Sequence, residues 1–464
     1  TSCFGYDAMG RKAWQFASTL PADKLSQVHN TGINTSLLVE HAYNPIHRRY
    51  QYDPAGELVR TLDKLRGEIK YEYEANGQLR SRDTGSLIGS EEFRYDPAAN
   101  RLDFNARQFD KVKDNRIKQW RDQEYRYDPW GNLIEKRSGH SKLQHFSYDC
   151  ENRLVRAETL VNGKLESQGE YRYDSLGRRI AKQAEINGEV EQKRFLWQGL
   201  RMLREESPAK SILYLYEPGS YAPLARVDQV EGEGQKVYYF HTDQIGTPLE
   251  LTDSEGEIVW QATYRSWGAV EQLPVSKVEQ NLRFQGQYFD QETGLHYNTF
   301  RYYDCELGRF VTQDPIGLDG GFNLYRYVSS PFTGVDPWGW CEKKGMGVSK
   351  SGHHVPSVRK SKGRPFAVSR SDKTRPTLFP KGENPEHEHW LLHEAERGPV
   401  GPRQGDFPGT DDQLFAAYRE AYKDLDHIKV DVVSPNGAHV LGENVTPRAA
   451  VDLIENWLKE GGLR

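Results

Sequence analysis

The feature that most constrains the fold is a short motif that recurs through the first 340 residues. Segments such as "RYDPWGNLIEKR" and "RYDSLGRRIAK" share the template aromatic-x-Tyr-Asp-x-x-Gly-x-Leu. The motif tyrosines stand at positions 6, 52, 73, 95, 127, 148 and 173, so most gaps are 21–25 residues, with one double step and one insertion. Each unit predicts a strand, an Asp/Pro/Asn/Gly turn and a second strand, which together form a β-hairpin. A lone hairpin cannot bury its apolar side, so we expect successive hairpins to join one extended sheet.

Composition also indicates a β-rich chain. Of the 464 residues, 12% are aromatic and 26 are Tyr. Many Tyr, Gly and turn residues favour strands and tight turns over helices. No run approaches the roughly 18 apolar residues of a membrane-spanning helix. The 4 cysteines contain no C-x-x-C pair, which indicates a reducing compartment and gives no thiolate metal cluster.

The first ten residues, "TSCFGYDAMG", lie within a repeat. They contain neither a basic leader nor an apolar stretch, so no secretory signal is expected here. We therefore expect the sequence to be the C-terminal part of a longer protein.

The repeated Tyr-Asp pairs have two interpretations. The tyrosines could form platforms for a ligand such as a sugar. Alternatively, the aspartates shape turns and the tyrosines pack on neighbouring strands, and this structural interpretation is the one that the sequence favours.

Charge divides the chain at about residue 340. The net charge of −5 is the sum of −6 for residues 1–340 and +1 for residues 341–464. Within the second part, residues 341–381 hold eleven basic and two acidic residues, whereas residues 382–464 are acidic. Seven of the 14 histidines lie in the last 124 residues. This distribution indicates a separate C-terminal domain with its own chemistry.

The stretch "DPIGLDGGFNLYRYVSSPFTGVDPWGWC" contains Asp-Pro-x-Gly twice, with Asp314 and Asp336 22 positions apart. Each copy can be an ordinary turn former. Two aspartates held together can also hydrolyse a peptide bond, because like charges at close range keep one carboxyl protonated while the other activates water. The spacing and the change in composition at Cys341 favour a self-cleavage element.

The repeats resemble the YD repeats of Rhs proteins and of the related toxin-complex C components. The resemblance covers residues 1–340 and is most specific in "YYFHTDQIGTPLELTDSEGEIVWQATYRSWG" and "LRFQGQYFDQETGLHYNTFRYYDCELGRFVTQDPIGL". It implies a mainly β fold in three parts. Residues 1–290 form part of a β-hairpin shell, residues 291–340 form a self-cleavage region, and residues 341–464 form a toxin domain held by the shell.

The same resemblance implies roles for individual residues. In the related shells an aspartate pair, helped by an upstream Arg, cuts the chain just after the second motif. Arg301, in "FRYYD", matches that Arg, and Asp314 and Asp336 match the pair. The implied cut lies between Trp340 and Cys341, where Trp replaces the usual Leu.

The C-terminal domain contains two groups of histidines. His353 and His354 precede Val-Pro, which suits the end of a strand, where neighbouring side chains point to opposite faces. One imidazole can then bind a metal while the other acts as a general base. In "HWLLH", His389 and His393 are four residues apart, which is a common spacing for two metal ligands on one helical face.

This arrangement resembles the HNH, or His-Me finger, nucleases. The resemblance implies a small α+β domain in which His353, His389 and His393 bind one divalent ion (Mg, Zn or Ni) and His354 activates water. Asn384 would orient His354, although it lies close to the expected helix start. His387 competes with His389 as a ligand. The rest of the domain, in "DDQLFAAYREAYKDL", "IKVDVVSP" and "PRAAVDLIENWLKEG", predicts a helix, a strand and a helix that form a scaffold.

A basic stretch surrounds the histidine pair and suits contact with phosphates. Its candidate nucleic-acid contacts are Arg359, Lys360, Lys362 and Arg364. A solvated linker would have the same composition. The two His groups could likewise be packed or exposed side chains without a metal. A metalloprotease is disfavoured because H-E-x-x-H is absent, and a nucleobase deaminase because P-C-x-x-C is absent.

These features predict an antibacterial effector whose shell self-cleaves and carries a metal-dependent nuclease, with DNA favoured as substrate over RNA. The alternatives are a non-enzymatic shell that acts as a scaffold, and a toxin domain of other chemistry, such as an RNase. Resemblance further implies synthesis in a bacterial cytoplasm, delivery into the cytoplasm of a target cell by a type VI spike and chaperone, and a cognate immunity protein.

Overall fold

The computed structural model divides the chain into two compact units, Thr1–Gly347 and Val348–Arg464. It describes residues 1–20, 24, 39–41, 43–103, 112–340, 343–344, 353–354, 377–380, 392, 395–396, 399–400, 410–433 and 440–459. Strands dominate the first unit, whereas the second combines strands with helices. The predicted mainly β class is therefore confirmed.

The first unit contains a seven-stranded antiparallel sheet in which neighbours in space are neighbours in the chain. Its strands are β1 (Ser2–Tyr6), β2 (Lys12–Ala17), β3 (Ile46–Tyr52), β4 (Leu58–Asp63), β5 (Gly67–Tyr73), β6 (Leu79–Asp83) and β7 (Glu91–Glu92). Two short ribbons follow, formed by β8 (Arg94–Tyr95) with β9 (Arg101–Leu102) and by β10 (Val112–Lys113) with β11 (Arg116–Ile117).

A fifteen-stranded antiparallel sheet holds the remaining repeats, again without a crossover. Its strands are β12 (Gln119–Trp120), β13 (Gln123–Tyr127), β14 (Leu133–Ser138), β15 (Lys142–Tyr148), β16 (Leu154–Val161), β17 (Lys164–Tyr173), β18 (Arg179–Ile186), β19 (Glu189–Gln198), β20 (Arg201–Ser207), β21 (Lys210–Tyr216), β22 (Pro223–Val230), β23 (Gln235–Thr242), β24 (Pro248–Thr252), β25 (Ile258–Tyr264) and β26 (Val270–Ser276).

The expectation of one continuous sheet was wrong, because the hairpins form two long sheets. The break falls at the repeat "RYDPAANRL", which lacks the motif glycine. Ala99 takes the left-handed backbone conformation there, with φ 63°. This conformation is unfavourable for a residue with a Cβ atom, and the strands on either side of the turn are only two residues long.

The Tyr-Asp motif has the structural role that the sequence favours. Within a turn, Oδ1 of Asp149 accepts hydrogen bonds from the backbone N–H groups of Glu151 and Arg153, both at 2.9 Å. The hydroxyl of Tyr148 donates to the carbonyl of Leu133 in the preceding hairpin, at 2.8 Å. Other motif tyrosines repeat this contact, so the tyrosines join one hairpin to the next.

A four-stranded sheet packs against the fifteen-stranded sheet. It consists of β27 (Tyr288–Asp290), β28 (Leu295–Asn298), β29 (Arg301–Asp304) and β30 (Arg309–Phe310). Some buried charges of the two sheets pair with each other, which offsets the cost of burying an ion. Lys136 Nζ lies 2.7 Å from Asp304, and Lys182 Nζ lies 3.1 Å from Asp290. These pairs and the shared apolar core hold the β28–β29 hairpin in position.

The first unit ends with β31 (Gly334–Val335), which pairs with β32 (Lys343–Lys344). The second unit has one antiparallel sheet in chain order, β33 (His353–His354), β34 (Thr377–Pro380), β35 (Val430–Val433) and β36 (Val440–Val445), and two helices, α1 (Asp411–Ala421) and α2 (Pro447–Lys459).

The two helices and β35 occupy the segments in which the sequence predicted helix, strand and helix. Thr410 begins α1 with a capping box, in which its side chain accepts from the N–H of Gln413. Leu414, Tyr418 and Ile454 are buried in the core between the helices and the sheet. Among the described residues, no helix is both long enough and apolar enough to cross a membrane.

Candidate active site

The structure brings together the three residues predicted for self-cleavage. Nη2 of Arg301 lies 3.1 Å from Oδ2 of Asp314 and 3.3 Å from Oδ2 of Asp336. The three residues are 2%, 9% and 1% exposed, respectively. One buried guanidinium therefore bridges two buried carboxyl groups that lie 22 positions apart in the sequence.

Arg301 is held by contacts on both sides of its guanidinium. It is the first residue of β29, directly after the two-residue turn of the β28–β29 hairpin. Nη1 donates to the carbonyl of Leu324 at 3.0 Å, and the guanidinium carbon lies 3.6 Å from the centroid of the Phe310 ring. The Arg side chain thus has little freedom to leave the carboxyl groups.

The two Asp-Pro-x-Gly motifs form similar turns. Oδ1 of Asp314 accepts from the N–H of Ile316 at 3.1 Å, and the carbonyl of Asp314 accepts from the N–H of Gly317 at 2.9 Å. Gly317 has φ 59° and Gly339 has φ 72°, which is the left-handed region that favours glycine. The fourth motif position therefore requires Gly, and this turn aims the Asp side chain.

In the second turn, Asp336 contacts the residue at the predicted cut. Its Oδ1 accepts from the N–H of Trp340 at 3.0 Å, and its carbonyl accepts from the N–H of Gly339 at 3.3 Å. The Asp336 carboxyl group thus contacts both the guanidinium of Arg301 and a backbone donor.

The surroundings of Asp314 shift the pKa of its carboxyl group. Burial raises the pKa of the Asp314 carboxyl to about 6, although Arg301 and the N–H of Ile316 act in the opposite direction. Below that pH its acid form predominates. A buried pair in which one carboxyl is protonated and the other ionised is the arrangement needed for acid–base hydrolysis.

The carbonyl oxygen of Trp340 and the carboxyl group of Asp314 both lie close to Gly320. A Cβ atom built on Gly320 would lie 2.3 Å from Oδ2 of Asp314 and 2.9 Å from the carbonyl oxygen of Trp340. A side chain at position 320 would therefore collide with both oxygens, and glycine allows their close approach. Gly320 is not identifiable from the sequence, since one more Gly in a Gly-rich loop has no distinguishing pattern.

The predicted histidine site of the second unit is described only in part. The backbone of His353 and His354 forms β33 and pairs with Leu378 and Thr377 of β34, so the predicted strand is present. The other predicted residues lie outside the described residues, namely Cys341, Arg359, Lys360, Lys362, Arg364, Asn384, His387, His389 and His393. No group of three His, Cys, Asp or Glu side chains suited to a metal occurs in the described part of the chain. The metal site stays a prediction.

Two family models match the chain. Residues 49–327 match the Teneurin YD-shell, and residues 347–462 match Toxin protein PT1. The first match covers most of the two long sheets and includes Arg301 and Asp314. The second begins seven residues after Trp340 and covers the α+β unit.

The chain is similar to longer proteins. "Double-stranded DNA deaminase toxin A" of Burkholderia cenocepacia (strain H111) is 40% identical over 368 residues, which are 74% of this chain and 25% of that protein. "Probable deoxyribonuclease RhsA" of Dickeya dadantii (strain 3937) is 28% identical over 408 residues, which are 84% of this chain and 27% of that protein. The chain thus spans about a quarter of each relative's length.

Among solved structures, the TcdB2-TccC3-Cdc42 complex matches 73% of this chain and 19% of its own chain, with 18% identity and a TM-score of 0.45. The predicted resemblance to YD-repeat shells is confirmed by the family match, whereas the assignment to HNH nucleases stays a prediction. Since the matched residues 49–327 make up more than half of the sequence, the chain belongs to the teneurin YD-shell family.

Proposed function

We propose that this chain belongs to an antibacterial Rhs effector that cuts itself after Trp340 and releases a DNA-cleaving toxin domain. The observation that carries the self-cleavage part is the buried Asp314–Arg301–Asp336 bridge beside the Trp340 carbonyl. Turn formation alone would require neither the burial of both carboxyl groups nor a shared Arg.

Each aspartate has a distinct role in the proposed reaction. Asp314, in its acid form, donates a proton to the carbonyl oxygen of Trp340. Asp336, ionised beside Arg301, takes a proton from a water molecule, whose oxygen attacks the carbonyl carbon. The tetrahedral intermediate then breaks its C–N bond, and the nitrogen of Cys341 receives the proton held by Asp336. One hydroxyl of the intermediate returns its proton to Asp314, and Trp340 becomes a C-terminal carboxyl group.

The released domain is proposed to be a nuclease. Support comes from the match to Toxin protein PT1 and from the relative named as a probable deoxyribonuclease. His354 would act as general base, and His353, His389 and His393 would hold one divalent ion that stabilises the phosphate charge. The relative named as a DNA deaminase supports DNA as the target class, but this domain has one cysteine and no P-C-x-x-C, so hydrolysis is the better candidate.

Delivery and partners belong to the same proposal. A toxin that acts on DNA requires an immunity protein in the cell that makes it. A type VI spike and its chaperone would carry the effector into the cytoplasm of the target cell, through parts of the longer protein that lie outside this sequence.

Cell-free translation of the full chain tests self-cleavage without toxicity to a host. We expect two fragments on a denaturing gel, and mass spectrometry should give Cys341 as the first residue of the smaller one. Asp314→Asn and Asp336→Asn should each leave one intact band. Asp319→Asn, at an exposed position five residues after Asp314, is the matched control and should cut normally. An intact wild-type chain would refute the proposal.

A plasmid-nicking assay of the cleaved chain tests the nuclease. Nicking should require Mg²⁺ or Zn²⁺, stop with EDTA and be lost in His354→Ala. Nicking that persists with EDTA and with His354→Ala would exclude the metal-nuclease mechanism. RNA degradation with intact plasmid would instead favour an RNase.

A further inference from the structure

We infer that the hairpin turn Asn298–Arg301 is the substrate-binding element of the self-cleaving site, and that Phe300 selects a planar aromatic side chain before the cut bond. This inference rests on the proposed self-cleavage and adds its specificity. It follows from a series of contacts in which successive residues of the turn hold successive residues of the segment that ends at Trp340.

The backbone of that segment is held by three donors of the turn. Nδ2 of Asn298, Oγ1 of Thr299 and the N–H of Phe300 each donate to a different carbonyl oxygen. The acceptors are the carbonyl oxygens of Asp336, Pro337 and Trp338, at 2.8, 3.3 and 3.2 Å. The next residue, Arg301, contacts the Asp336 side chain at 3.3 Å. The turn therefore fixes both the register of the segment and the position of the carboxyl pair.

The backbone of this turn is strained in a way that points to function. Thr299 has φ 55°, although a β-branched residue rarely adopts the left-handed region. Strain of this kind persists where the surrounding structure requires it, and it is concentrated at binding and catalytic sites. In this hairpin, it accompanies the placement of Oγ1 against the carbonyl of Pro337 and of the Phe300 ring against Trp340.

Two aromatic rings enclose the side chain before the bond. The Trp340 indole stacks on the Phe300 ring, with centroids 4.2 Å apart and an angle of 12° between the planes. The Trp338 ring meets Trp340 edge-on, at 6.1 Å and 77°. Trp338 is itself fixed, because its Nε1 donates to the hydroxyl of buried Tyr221. The stacked Phe300 ring on one side of Trp340 and the edge-on Trp338 ring on the other form a flat slot that suits an aromatic side chain.

Because the slot encloses the side chain before the cut bond, it should affect the rate of self-cleavage. The Trp340 carbonyl oxygen and Asp314 both lie close to Gly320, so an ordered indole also orders the carbonyl that Asp314 is proposed to protonate. A branched aliphatic side chain cannot stack on Phe300 and would leave the carbonyl less well positioned. Phe300 is thus a positioning residue that acts through the Trp340 side chain, rather than a catalytic group.

The test measures the cleavage rate of the full chain in cell-free translation, with Trp340→Phe and Trp340→Leu in two backgrounds. With Phe300 present, Trp340→Phe should be cut about tenfold faster than Trp340→Leu, given the size of a stacking interaction. In Phe300→Leu, which keeps an apolar side chain, the two should be cut at nearly equal rates. Phe300→Tyr should restore the preference. Phe322→Ala, which removes a 90% exposed ring, is the control and should retain it.

The outcomes separate this inference from the proposal on which it rests. If the wild-type chain is cut but Phe300→Leu keeps the same Phe-to-Leu preference at position 340, the inference is wrong and self-cleavage stands. If the wild-type chain is not cut at all, self-cleavage itself fails, and the specificity inference fails with it. Loss of all cutting in both Phe300→Leu and Phe300→Tyr would also contradict the inference, because Tyr preserves the stacking face.

Discussion

Arg301 is the residue on which both aspartates depend. Its Nη2 contacts Asp314 and Asp336, while Nη1 holds the Leu324 carbonyl, so one planar group makes three contacts in fixed directions. A Lys ammonium supplies charge from a single nitrogen and cannot reproduce this geometry. The position therefore requires the shape of Arg as well as its charge.

We accordingly expect Arg301→Lys to slow self-cleavage at least about tenfold, which corresponds to about 1.4 kcal/mol of activation free energy. The rate of fragment appearance in cell-free translation measures the effect. Arg94→Lys, a change at an exposed arginine, should leave the rate unchanged. An Arg301→Lys chain that is cut at the wild-type rate would mean that charge alone is sufficient.

The pH dependence of cleavage should follow Asp314. Because burial raises its pKa to about 6, the acid form that donates a proton is present below pH 6 and is lost as the pH rises. The rate should then fall by about tenfold per pH unit well above 6. A pH–rate profile from refolded full chain measures this. A rate that instead increases from pH 6 to pH 8 would exclude Asp314 as the acid.

At the scale of elements, each Asp-Pro-x-Gly turn combines a glycine in the left-handed conformation with a carboxyl group that contacts Arg301. Gly339 has φ 72°, and a Cβ atom built there would lie 3.0 Å from the carbonyl of Asn298 and 3.3 Å from Cβ of Arg301. The turn therefore needs glycine for its backbone conformation and for its close approach to the hairpin that carries Arg301.

Gly339→Ala should therefore abolish or strongly slow cleavage. Gly163→Ala is a matched control, because Gly163 has φ 75° but no atom within 4 Å of the point where an alanine Cβ would lie. Both variants should lose roughly 1 kcal/mol of stability from backbone strain, but only Gly339→Ala should lose cleavage. Urea unfolding and the cleavage gel together separate the two effects. Equal cleavage by both variants would show that close packing at Gly339 is unimportant.

At the scale of the first unit, buried ion pairs join the four-stranded sheet to the fifteen-stranded one. Asp290 contacts both Arg179 and Lys182, and all three residues are buried. Burial alone would raise the pKa of Asp290, but the two cations outweigh it and hold that pKa below its usual value. This pairing contributes stability above the unfolded-state pKa of about 4, and the contribution is lost as the pH falls through the lowered folded-state pKa.

Asp290→Asn should destabilise the unit by about 3 kcal/mol at neutral pH, since it removes the carboxylate partner of buried Arg179, whereas Lys182 still contacts Glu292 at 3.0 Å. It should also slow cleavage, because the β28–β29 hairpin belongs to the same sheet as Asp290. Urea unfolding at pH 7 measures the first effect. Glu255→Gln, at an exposed turn position, should change neither property. A stability loss below about 1 kcal/mol would mean that the Asp290 ion pairs contribute little to holding the two sheets together.

The sequence by itself determined the hairpin repeat, the mainly β class and the α+β character of the last part. These properties are local, because turn residues at fixed offsets and alternating apolar residues specify strands and turns wherever they occur. The doubled Asp-Pro-x-Gly motif and its Arg partner were also identifiable, since resemblance supplied a reason to pair residues that are far apart in the chain.

Only the tertiary structure decided how many sheets the hairpins form and what surrounds the aspartates. The sheet break around the repeat that contains Ala99, the close approach at Gly320 and the slot formed by Phe300 and Trp338 depend on contacts between distant segments, or on a backbone conformation that spacing does not reveal. The raised pKa of Asp314 has the same origin. Asp314 and Asp336 lie in the same four-residue motif, and the sequence gives no sign that burial raises the pKa of the Asp314 carboxyl to about 6.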